Sequence, residues 1–528
     1  MKSEDFSEAI GRIEDDIIEE AEKARKKNRK RIFWGITSAA AAVAVIGGLV
    51  LCLPLIRDRE TIIALTEGQQ GTTAAAGETV QETAPAAGTA PTEEETPFTA
   101  YLAAKAVYPK RAAVDYGDED YYDTPEYRLA LKEMNEWRLL LKDYKGTFGD
   151  FFTKTSAELL SGEGENKVYS PLNLYMALSM LTELTEGESR SQITHLLGEE
   201  SAESLRTKAA AVWNSNYVNN GLTKSLPANS FWLNDKIAYK QEALDTLAAD
   251  YFASSFSGNP AEEGYSEALR SWLNEQTGGL LSEQTKDIAM TPETVISLAS
   301  TLYFQAQWND KFDETRTKTD VFRAKDGDKE CDFMCAGDEE TFYYYFYGDN
   351  FKARSLSFEN GGGSMWFFLP DEGVSPEELL GDESIEQIIN YTCKSEGENL
   401  IYSYDKFTQA MGRLVVPKFD ITEKSDLIEG LKNLGITDIF STETADFSPL
   451  TDLTKEVPVY LSKAEQAARV SIDENGCTAA SYVVMEADCG AAIPPEVEHL
   501  DFVLDRPFLF VITGNGDLPL FAGIVNQP

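Results

Sequence analysis

Residues Glu474 to Val497 read ENGCTAASYVVMEADCGAAIPPEV. This stretch lies between two strand-like runs, Ala468–Ile472 and Phe502–Ile512, and loops of such length are uncommon and usually functional or disordered. Its poor strand formers and its Pro-Pro pair favour an exposed, extended segment. We therefore expect a long surface loop between two strands.

The same stretch also has the two-residue period of a β-strand, with a small or apolar face and a face that carries the charges. The small or apolar face consists of Cys477, Ala479, Ser481, Val483, Met485 and Ala487. A strand with this pattern can lie in a sheet with one face against a core. The sequence is therefore compatible with two states, an exposed loop and a central strand.

Three C-terminal motifs resemble the signature of the serpins: Asp473–Ala480, Arg506–Phe510 and Pro519–Gly523. Further motifs of that family follow one another in the expected order along the chain. They are Ser170–Leu181, Asn229–Leu233, Trp272–Thr277, Leu302–Trp308 with Phe312, Ser364–Glu372, Pro417–Phe419 and Leu434–Asp438. Their joint order covers roughly residues 97–528, whereas each motif alone is weak.

The resemblance implies the serpin fold, an α+β fold with three β-sheets, about eight or nine helices and an exposed reactive-centre loop at about residues 474–497. Local patterns agree with the α+β class, because helical segments come first and strands cluster at the end. Helices are predicted over Glu126–Lys145, Phe148–Leu160 and within Val168–Leu197, where Ser170-Pro171 opens a buried helix. Strands are predicted over Ser230–Leu233, Leu356–Leu369, Leu414–Phe419 and Phe502–Ile512.

Composition argues against several other classes of protein. The 528-residue chain has 89 Asp and Glu against 47 Lys and Arg, a net charge of −42, which disfavours nucleic acid or anionic lipid as a partner of the main domain. The two histidines, His195 and His499, have no supporting hydrolase or zinc motif, so no enzyme activity, metal or cofactor is expected. The six cysteines lack zinc or scaffold spacing, and we expect unpaired thiols.

The N-terminal region predicts a membrane anchor. Residues 1–31 form an amphipathic and then basic tail, and Ile32–Ile56 is an uncharged run long enough to cross a hydrocarbon core of about 30 Å. The preceding basic residues place the N-terminus in the cytoplasm and the remainder outside the cell. Residues 57–97 are a Thr-, Ala-, Glu- and Pro-rich stalk, and 98–528 the serpin domain. This topology favours a membrane-anchored, bacterial-type variant at the cell membrane.

By resemblance, the chain is an extracellular suicide inhibitor of serine or cysteine proteases. Cleavage of the loop lets its hinge-side half insert into the main sheet, which traps the covalently attached protease. Target protease and membrane are the expected partners, with the chain as a monomer. The alternative is a non-inhibitory serpin that serves as a surface binding or adhesion protein, since fold does not fix function.

The family's spacing assigns the reactive bond to Gly490-Ala491, with Cys489 and Ala492 as alternatives. This small or acidic bait suits elastase-like or subtilisin-like proteases. The hinge comprises Glu474, Gly476, Cys477, Thr478, Ala479, Ala480 and Ser481. A disulfide between Cys477 and Cys489 is a further hypothesis, which would block full insertion under oxidising conditions.

The region in which the sheet opens is assigned to Ser170, Asn173, Ser300, Trp308 and Gln466. Here the chain departs from the family pattern. Ser300-Thr301 replaces an Asn-Ala pair, Gln466 replaces a histidine and Asn173 replaces a serine. In the family, the positions of Ser300 and Gln466 face each other beneath the sheet, so both partners of one polar contact are altered together. The new pair, Gln466 and Ser300, could still hydrogen-bond.

Overall fold

The computed structural model describes residues 96–109, 124–142, 145–162, 164–219, 224–359, 362–396, 399–452, 458–478 and 498–528. The chain divides into a larger unit, residues 94–392, 402–486 and 494–528, and a smaller unit, residues 1–93, 393–401 and 487–493. The predicted tail, membrane span Ile32–Ile56 and most of the stalk lie outside the described residues. No helix within the described ranges is long and apolar enough to cross a membrane.

Ten α-helices occur in the described part of the chain, most of them in its first half. They are α1 Pro125–Lys142, α2 Lys145–Leu159, α3 Pro171–Leu184, α4 Gly187–Leu196, α5 Ala202–Asn216, α6 Gln241–Asp250, α7 Glu263–Gln276, α8 Ser282–Thr285, α9 Glu383–Ile389 and α10 Ile428–Asn433. The number slightly exceeds the eight or nine expected, and α8 has only four residues. Helices dominate first and strands later, so the predicted α+β class is confirmed.

The strands are few before the middle of the chain and dense after it. The first eleven are β1 Leu102–Ala104, β2 Lys167–Tyr169, β3 Val218–Asn219, β4 Lys224–Asn234, β5 Ala253–Gly258, β6 Ile296–Gln307, β7 Lys318–Ala324, β8 Gly327–Ala336, β9 Phe342–Tyr347, β10 Phe351–Ser357 and β11 Ser364–Pro370. The others are β12 Cys393–Glu396, β13 Asn399–Tyr402, β14 Phe407–Met411, β15 Leu414–Pro417, β16 Phe419–Asp426, β17 Glu465–Ile472, β18 Gly476–Thr478, β19 Glu498–His499, β20 Phe502–Val503, β21 Phe508–Thr513 and β22 Pro519–Val525.

The fold contains three large sheets, which we call A, B and C. Sheet A has the order β1-β5-β4-β6-β18-β17-β16, with β3 paired to β4. Sheet B has the order β19-β14-β9-β10-β11-β21-β22-β2, and sheet C the order β20-β15-β8-β7. Strands β12 and β13 form a two-stranded hairpin. The three-sheet architecture that the resemblance implied is confirmed.

Helix α3 lies between sheets A and B, as the sequence pattern predicts for a buried helix. The Ser170 hydroxyl caps it by accepting a hydrogen bond from the backbone N–H of Asn173 at 3.3 Å. Pro171 follows in the first turn, where its missing N–H costs no helical hydrogen bond. All side chains of α3 except Ala177 and Glu183 are buried, and the helix packs against β6 and β22.

Three predicted strands are each divided in the structure. Leu356–Leu369 contains the end of β10 and most of β11, Leu414–Phe419 spans β15 and the start of β16, and Phe502–Ile512 spans β20 and β21. The first division lies just before β11, where Gly363 has a φ of +92° that disfavours other residues. In the third, Pro507 precedes β21 and has no backbone N–H for the ladder.

The N-terminal segment of the described chain adds β1 to the edge of sheet A, antiparallel to β5. The ring of Tyr101, just before β1, packs on the buried ring of Tyr265 in α7, with centroids 4.9 Å apart. Both rings close over Gly258 at the end of β5. A Cβ at Gly258 would lie 2.6 Å from the Tyr265 ring and 2.9 Å from the Tyr101 ring. This edge of the sheet therefore requires glycine.

We expect Gly258→Ala to lower the free energy of unfolding by about 1–3 kcal/mol, because the added methyl group overpacks the two tyrosine rings. Urea unfolding of the full-length chain measures the effect. The control is Gly146→Ala at an exposed position of α2, where a Cβ would meet nothing within 4 Å. That change should be neutral or stabilising by up to about 1 kcal/mol. Equal losses in the two variants would contradict the packing described here.

Candidate functional site: the hinge and the opening of sheet A

The hinge segment Glu474–Thr478 forms a tight turn after β17 and then the short strand β18. β18 pairs antiparallel with β17, which places Cys477 opposite Ile472. Its other edge pairs antiparallel with β6, which places Cys477 opposite Ala306. The hinge therefore already forms the first part of a central strand in sheet A.

Two residues of β18 show why the sequence fits this position. A Cβ at Gly476 would lie 1.6 Å from the carbonyl oxygen of Ala306, so only glycine permits the close approach to β6. The next side chain, Cys477, is 1% exposed and belongs to the main core. Burial and the nearby Asp473 carboxylate raise the pKa of this thiol. Cys477 thus lies on the predicted small-residue face, which is the core face here.

The turn before β18 is held by Asp473 and Trp308. The Asp473 side chain accepts hydrogen bonds from the backbone N–H groups of Asn475 at 2.8 Å and Gly476 at 3.0 Å. The indole N–H of Trp308 donates to the backbone carbonyl of Asp473 at 2.8 Å. Trp308 is fully buried and stacks on Phe358 with centroids 4.9 Å apart. This predicted residue of the opening region therefore anchors the hinge turn.

Glu474 connects the same turn to neighbouring strands. Its carboxylate is 7% exposed and accepts hydrogen bonds at 2.7 Å from both Lys418 Nζ and Thr317 Oγ1. Burial alone would raise the pKa of Glu474, but the hydrogen bonds from Lys418 and Thr317 outweigh it and lower the pKa. Lys418 and Thr317 are functional contacts that the sequence analysis did not assign.

Sheet A is open beyond the hinge. Within the described part of the chain, no strand lies between the remainder of β6 and the remainder of β17. A cavity of about 380 Å³ lies there instead, lined by β6 from Ile296 to Phe304 and by β17 from Glu465 to Arg469. Asn173 of α3 lines the same cavity. The cavity continues the line of β18 between the two strands.

Gln466 on β17 and Ser300 on β6 form hydrogen bonds that do not cross the cavity. The Gln466 amide accepts from the backbone N–H of Ser170 at 2.9 Å and donates to the Ser170 carbonyl at 3.1 Å. The Ser300 hydroxyl donates to the Asn229 side-chain carbonyl at 2.9 Å. Gln466 and Ser300 therefore do not form the hydrogen bond that their side chains would allow, because the cavity separates β17 from β6.

Some predicted site residues lie outside the described residues, so their assignments stay predictions. They are Ala479, Ala480, Ser481, Cys489, Gly490, Ala491 and Ala492. Cys331, Cys335 and Cys477 are free thiols, and the pairing of Cys477 with Cys489 stays a hypothesis. Among the residues that the structure describes, no cluster of three or more His, Cys, Asp or Glu side chains is suited to a metal ion.

The chain downstream of the loop is fixed to sheets B and C. It enters at Glu498 as β19, parallel to β14, and continues as β20, parallel to β15. Both nitrogens of the Arg413 guanidinium edge donate to the Asp501 carboxylate, which lowers the pKa of Asp501. The Tyr343 hydroxyl donates to the carbonyl of Leu500. The loop is therefore anchored at both ends.

We predict that Gly476→Val displaces β18 and exposes the Cys477 thiol. Overpacking of this kind costs about 1–3 kcal/mol, so the hinge should open roughly 5- to 150-fold more often. Maleimide labelling followed by mass spectrometry of the Cys477 peptide measures the rate. Gly146→Val, at a position with open space around the Cβ, is the matched control. Unchanged labelling of Cys477 in the hinge variant would contradict the close approach at Gly476.

A second prediction concerns Glu474→Gln. Because the pKa of Glu474 is lowered in the folded state, its stabilisation is complete above about pH 5 and is lost as the pH falls below about 4.5. The variant should therefore be less stable than the wild type at pH 7 by about 1–3 kcal/mol, and the difference should shrink as the pH falls through the lowered pKa of Glu474. Urea unfolding at several pH values tests this. The exposed Glu498→Gln should shift stability by under about 0.5 kcal/mol throughout, and a pH-independent loss for Glu474→Gln would refute the ionic role.

Comparisons with known proteins agree with this geometry. The family model described as Serpin (serine protease inhibitor) matches residues 148–528. Serpin-Z2B of Triticum aestivum is 29% identical over 375 residues, which cover 69% of this chain and 90% of the relative. Serpin-ZXA of Oryza sativa subsp. japonica is 30% identical over 379 residues, which cover 70% and 91%. These relatives are plant proteins and give no support to a bacterial-type variant.

Solved structures share the fold. The native state of the thermophilic serpin Tengpin matches with a TM-score of 0.60 and 25% identity, over 73% of this chain and 94% of that chain. Serpin48 of the insect Tenebrio molitor matches with a TM-score of 0.58 and 23% identity, over 73% and 98%. With a family model that spans most of its length and a hinge that enters the main sheet, this chain belongs to the serpin family of serine protease inhibitors.

Proposed function

We propose that this chain is an extracellular, membrane-tethered suicide inhibitor of serine or cysteine proteases. A protease cleaves the exposed loop, and the hinge-side half then inserts into sheet A while the protease remains attached as an acyl-enzyme. The main support for this proposal is the position of β18. Its residues Gly476–Thr478 pair with both β6 and β17, and the cavity extends in the direction that further insertion would take.

The register of β18 predicts the neighbours of each inserted residue. Continued beyond Thr478, it directs Ala479 and Ser481 to the core and directs Tyr482 to the outer face. Tyr482 is the bulkiest side chain in this part of the loop. The register places it between Thr301 and Ala467, two small side chains.

Insertion gains free energy from both strand edges. Each inserted residue adds backbone hydrogen bonds to β6 or β17, worth about 0.5–1.5 kcal/mol each. Before cleavage the loop is held at β18 and at β19, so its hinge-side half cannot move independently of its downstream end. Cleavage removes this link, and the covalent bond to the protease makes the outcome kinetic.

The bait proposed for the protease is small. Gly490 precedes the reactive bond and Ala491 follows it, with Cys489 and Ala492 as the neighbouring alternatives. These side chains suit the narrow pockets of elastase-like or subtilisin-like proteases. Trypsin-like proteases need Arg or Lys at this position and should react poorly.

The cellular setting is part of the proposal. Ile32–Ile56 crosses the cell membrane, residues 1–31 remain in the cytoplasm, and the stalk carries a monomeric serpin domain outside the cell. The bacterial-type assignment rests on this topology alone, because the relatives compared above are from plants.

The direct test mixes the full-length chain in mild detergent with neutrophil and pancreatic elastases, subtilisin and trypsin. We expect a complex with an elastase or subtilisin that survives denaturing electrophoresis, and a released peptide that starts at Ala491. Rapid trapping of trypsin without reaction towards elastase would overturn the bait assignment. Cleavage with neither a complex nor a gain in heat stability would favour the alternative of a non-inhibitory binding or adhesion protein.

Two loop variants separate insertion from simple cleavage. Ala479→Glu places a charge on the core face of the inserted strand, where burial is costly, and should convert the inhibitor into a substrate with at least a roughly hundredfold loss of stable complex. Ala480→Glu is the matched control on the outer face, beside Arg469, and should keep most of the inhibition. Cleavage rates and complex yields on denaturing gels measure both. Equal losses in the two variants would contradict the register.

A further inference from the structure

The cavity in sheet A has the size and lining of a small-molecule site. Its volume of about 380 Å³ falls in the range of ligand pockets. Phe304 and Phe521 of the main core line one side together with Asn173. Leu280 and Ile288, from the segment that follows α7, contribute apolar surface on another side. The lining therefore combines this apolar surface with polar atoms, including the hydroxyls of several serines and threonines.

One of these polar atoms needs a hydrogen-bond donor. The Asn173 side chain is 6% exposed, and its Oδ1 accepts no hydrogen bond from any described residue. Its polar neighbours at the cavity are already engaged, because Gln466 bonds to the backbone of Ser170 and Ser300 donates to Asn229. A buried carbonyl without a donor destabilises the protein, so a ligand that supplies an N–H or O–H group is favoured.

The charged residues that line the cavity are mostly basic, in contrast to the chain's net charge of −42. Among the described residues these are Lys424, Lys463 and Arg469, against one carboxylate, Glu465. Lys463 and Lys424 share Glu465 at 2.9 and 3.7 Å, and Arg469 pairs with Asp420 at 2.6 Å. All four lining groups are partly exposed, so they can reach an anionic group at the mouth of the cavity.

We infer that this cavity binds small amphipathic organic anions. The apolar body of such a ligand lies between β6 and β17, a hydroxyl or amine group donates to Asn173 Oδ1, and a carboxylate or sulfonate lies near Lys424, Lys463 and Arg469. This inference needs no loop insertion and stands independently of the proposed function.

One consequence does rest on the proposed function. If the loop inserts in the register of β18, Val483 lies between Ser300 and Gln466, in the volume that the ligand would occupy. A bound ligand and the inserted strand therefore exclude each other. Ligand binding should direct the encounter with a protease towards cleavage without trapping.

The test uses two fluorescent probes and the full-length chain in detergent. 2-Anilinonaphthalene-6-sulfonate has an N–H group and a sulfonate at opposite ends of a naphthalene ring, and its N-methyl analogue has a methyl group in place of the donor hydrogen. The N–H probe should bind the wild type about threefold to tenfold more tightly than the N-methyl probe, by fluorescence titration. Equal affinities would overturn the inference, because water would then satisfy Asn173 equally well.

Substitutions of the lining residues test whether the probe binds in this cavity. Asn173→Leu should remove the preference for the N–H probe, and Asn173→Ser provides a second variant without the carbonyl acceptor if the leucine variant folds poorly. Lys463→Gln with Arg469→Gln should weaken both probes equally, whereas Lys318→Gln, on an exposed strand of sheet C, should change neither. A preference that persists in both Asn173 variants would place the probe elsewhere and refute the site.

Heat stability and probe binding, both measured on protease-cleaved protein, distinguish a failure of this inference from a failure of the proposed function. If cleavage raises heat stability and abolishes the probe preference, both stand. If cleavage leaves heat stability unchanged while the wild-type preference depends on Asn173, insertion fails and the ligand site stands. If stability rises but the probe still binds with the same preference, insertion has not filled the cavity and the assigned site is wrong.

Discussion

Strands β6 and β17 are joined through β18 at the hinge and separated beyond it, and the rest of the site depends on this geometry. A strand edge that faces a cavity has backbone groups that only another strand, a ligand or water can satisfy. β18 satisfies the first of them, with Cys477 on the core face and Gly476 against the Ala306 carbonyl. The alternating small side chains that follow in the sequence would fit the same edges, which supports the proposed insertion.

The two ends of the loop are fixed by different physical means. The hinge end is held mainly by buried groups, with Trp308 and the Glu474 carboxylate bonded inside the turn. The downstream end is held by strand pairing and by the more exposed pair of Arg413 and Asp501. A buried charged contact is costly to break when one partner is left behind. In the proposed mechanism, the hinge end would be the fixed point from which the inserted strand grows, and cleavage would disconnect it from the downstream end.

Sequence reasoning predicted the features that depend on local chemistry. The Ser170 cap, the buried helix after it and the core-facing parity of Cys477 follow from residue type and spacing alone. The contacts of Lys418 and Thr317 with Glu474 did not follow, because they join segments far apart in the chain. Lys418 lies in a family motif, but nothing local marks Thr317 as a hinge partner. The division of Leu356–Leu369 was missed because a glycine-rich turn interrupts an otherwise apolar run.

The departures from the family pattern change which contacts would have to break when β6 and β17 move apart. A hydrogen bond between Gln466 and Ser300 would have crossed the cavity, so widening the gap would have broken it. In this chain Gln466 bonds to Ser170 and Ser300 bonds to Asn229, each on one side of the gap, so both contacts survive opening. The contacts that would resist opening are then the pairing of β18 with both strands and the packing of the segment after α7 against the cavity. Arg469 of β17 donates to the backbone carbonyl of Leu280 in that segment at 3.4 Å, so the segment and β17 are in direct contact.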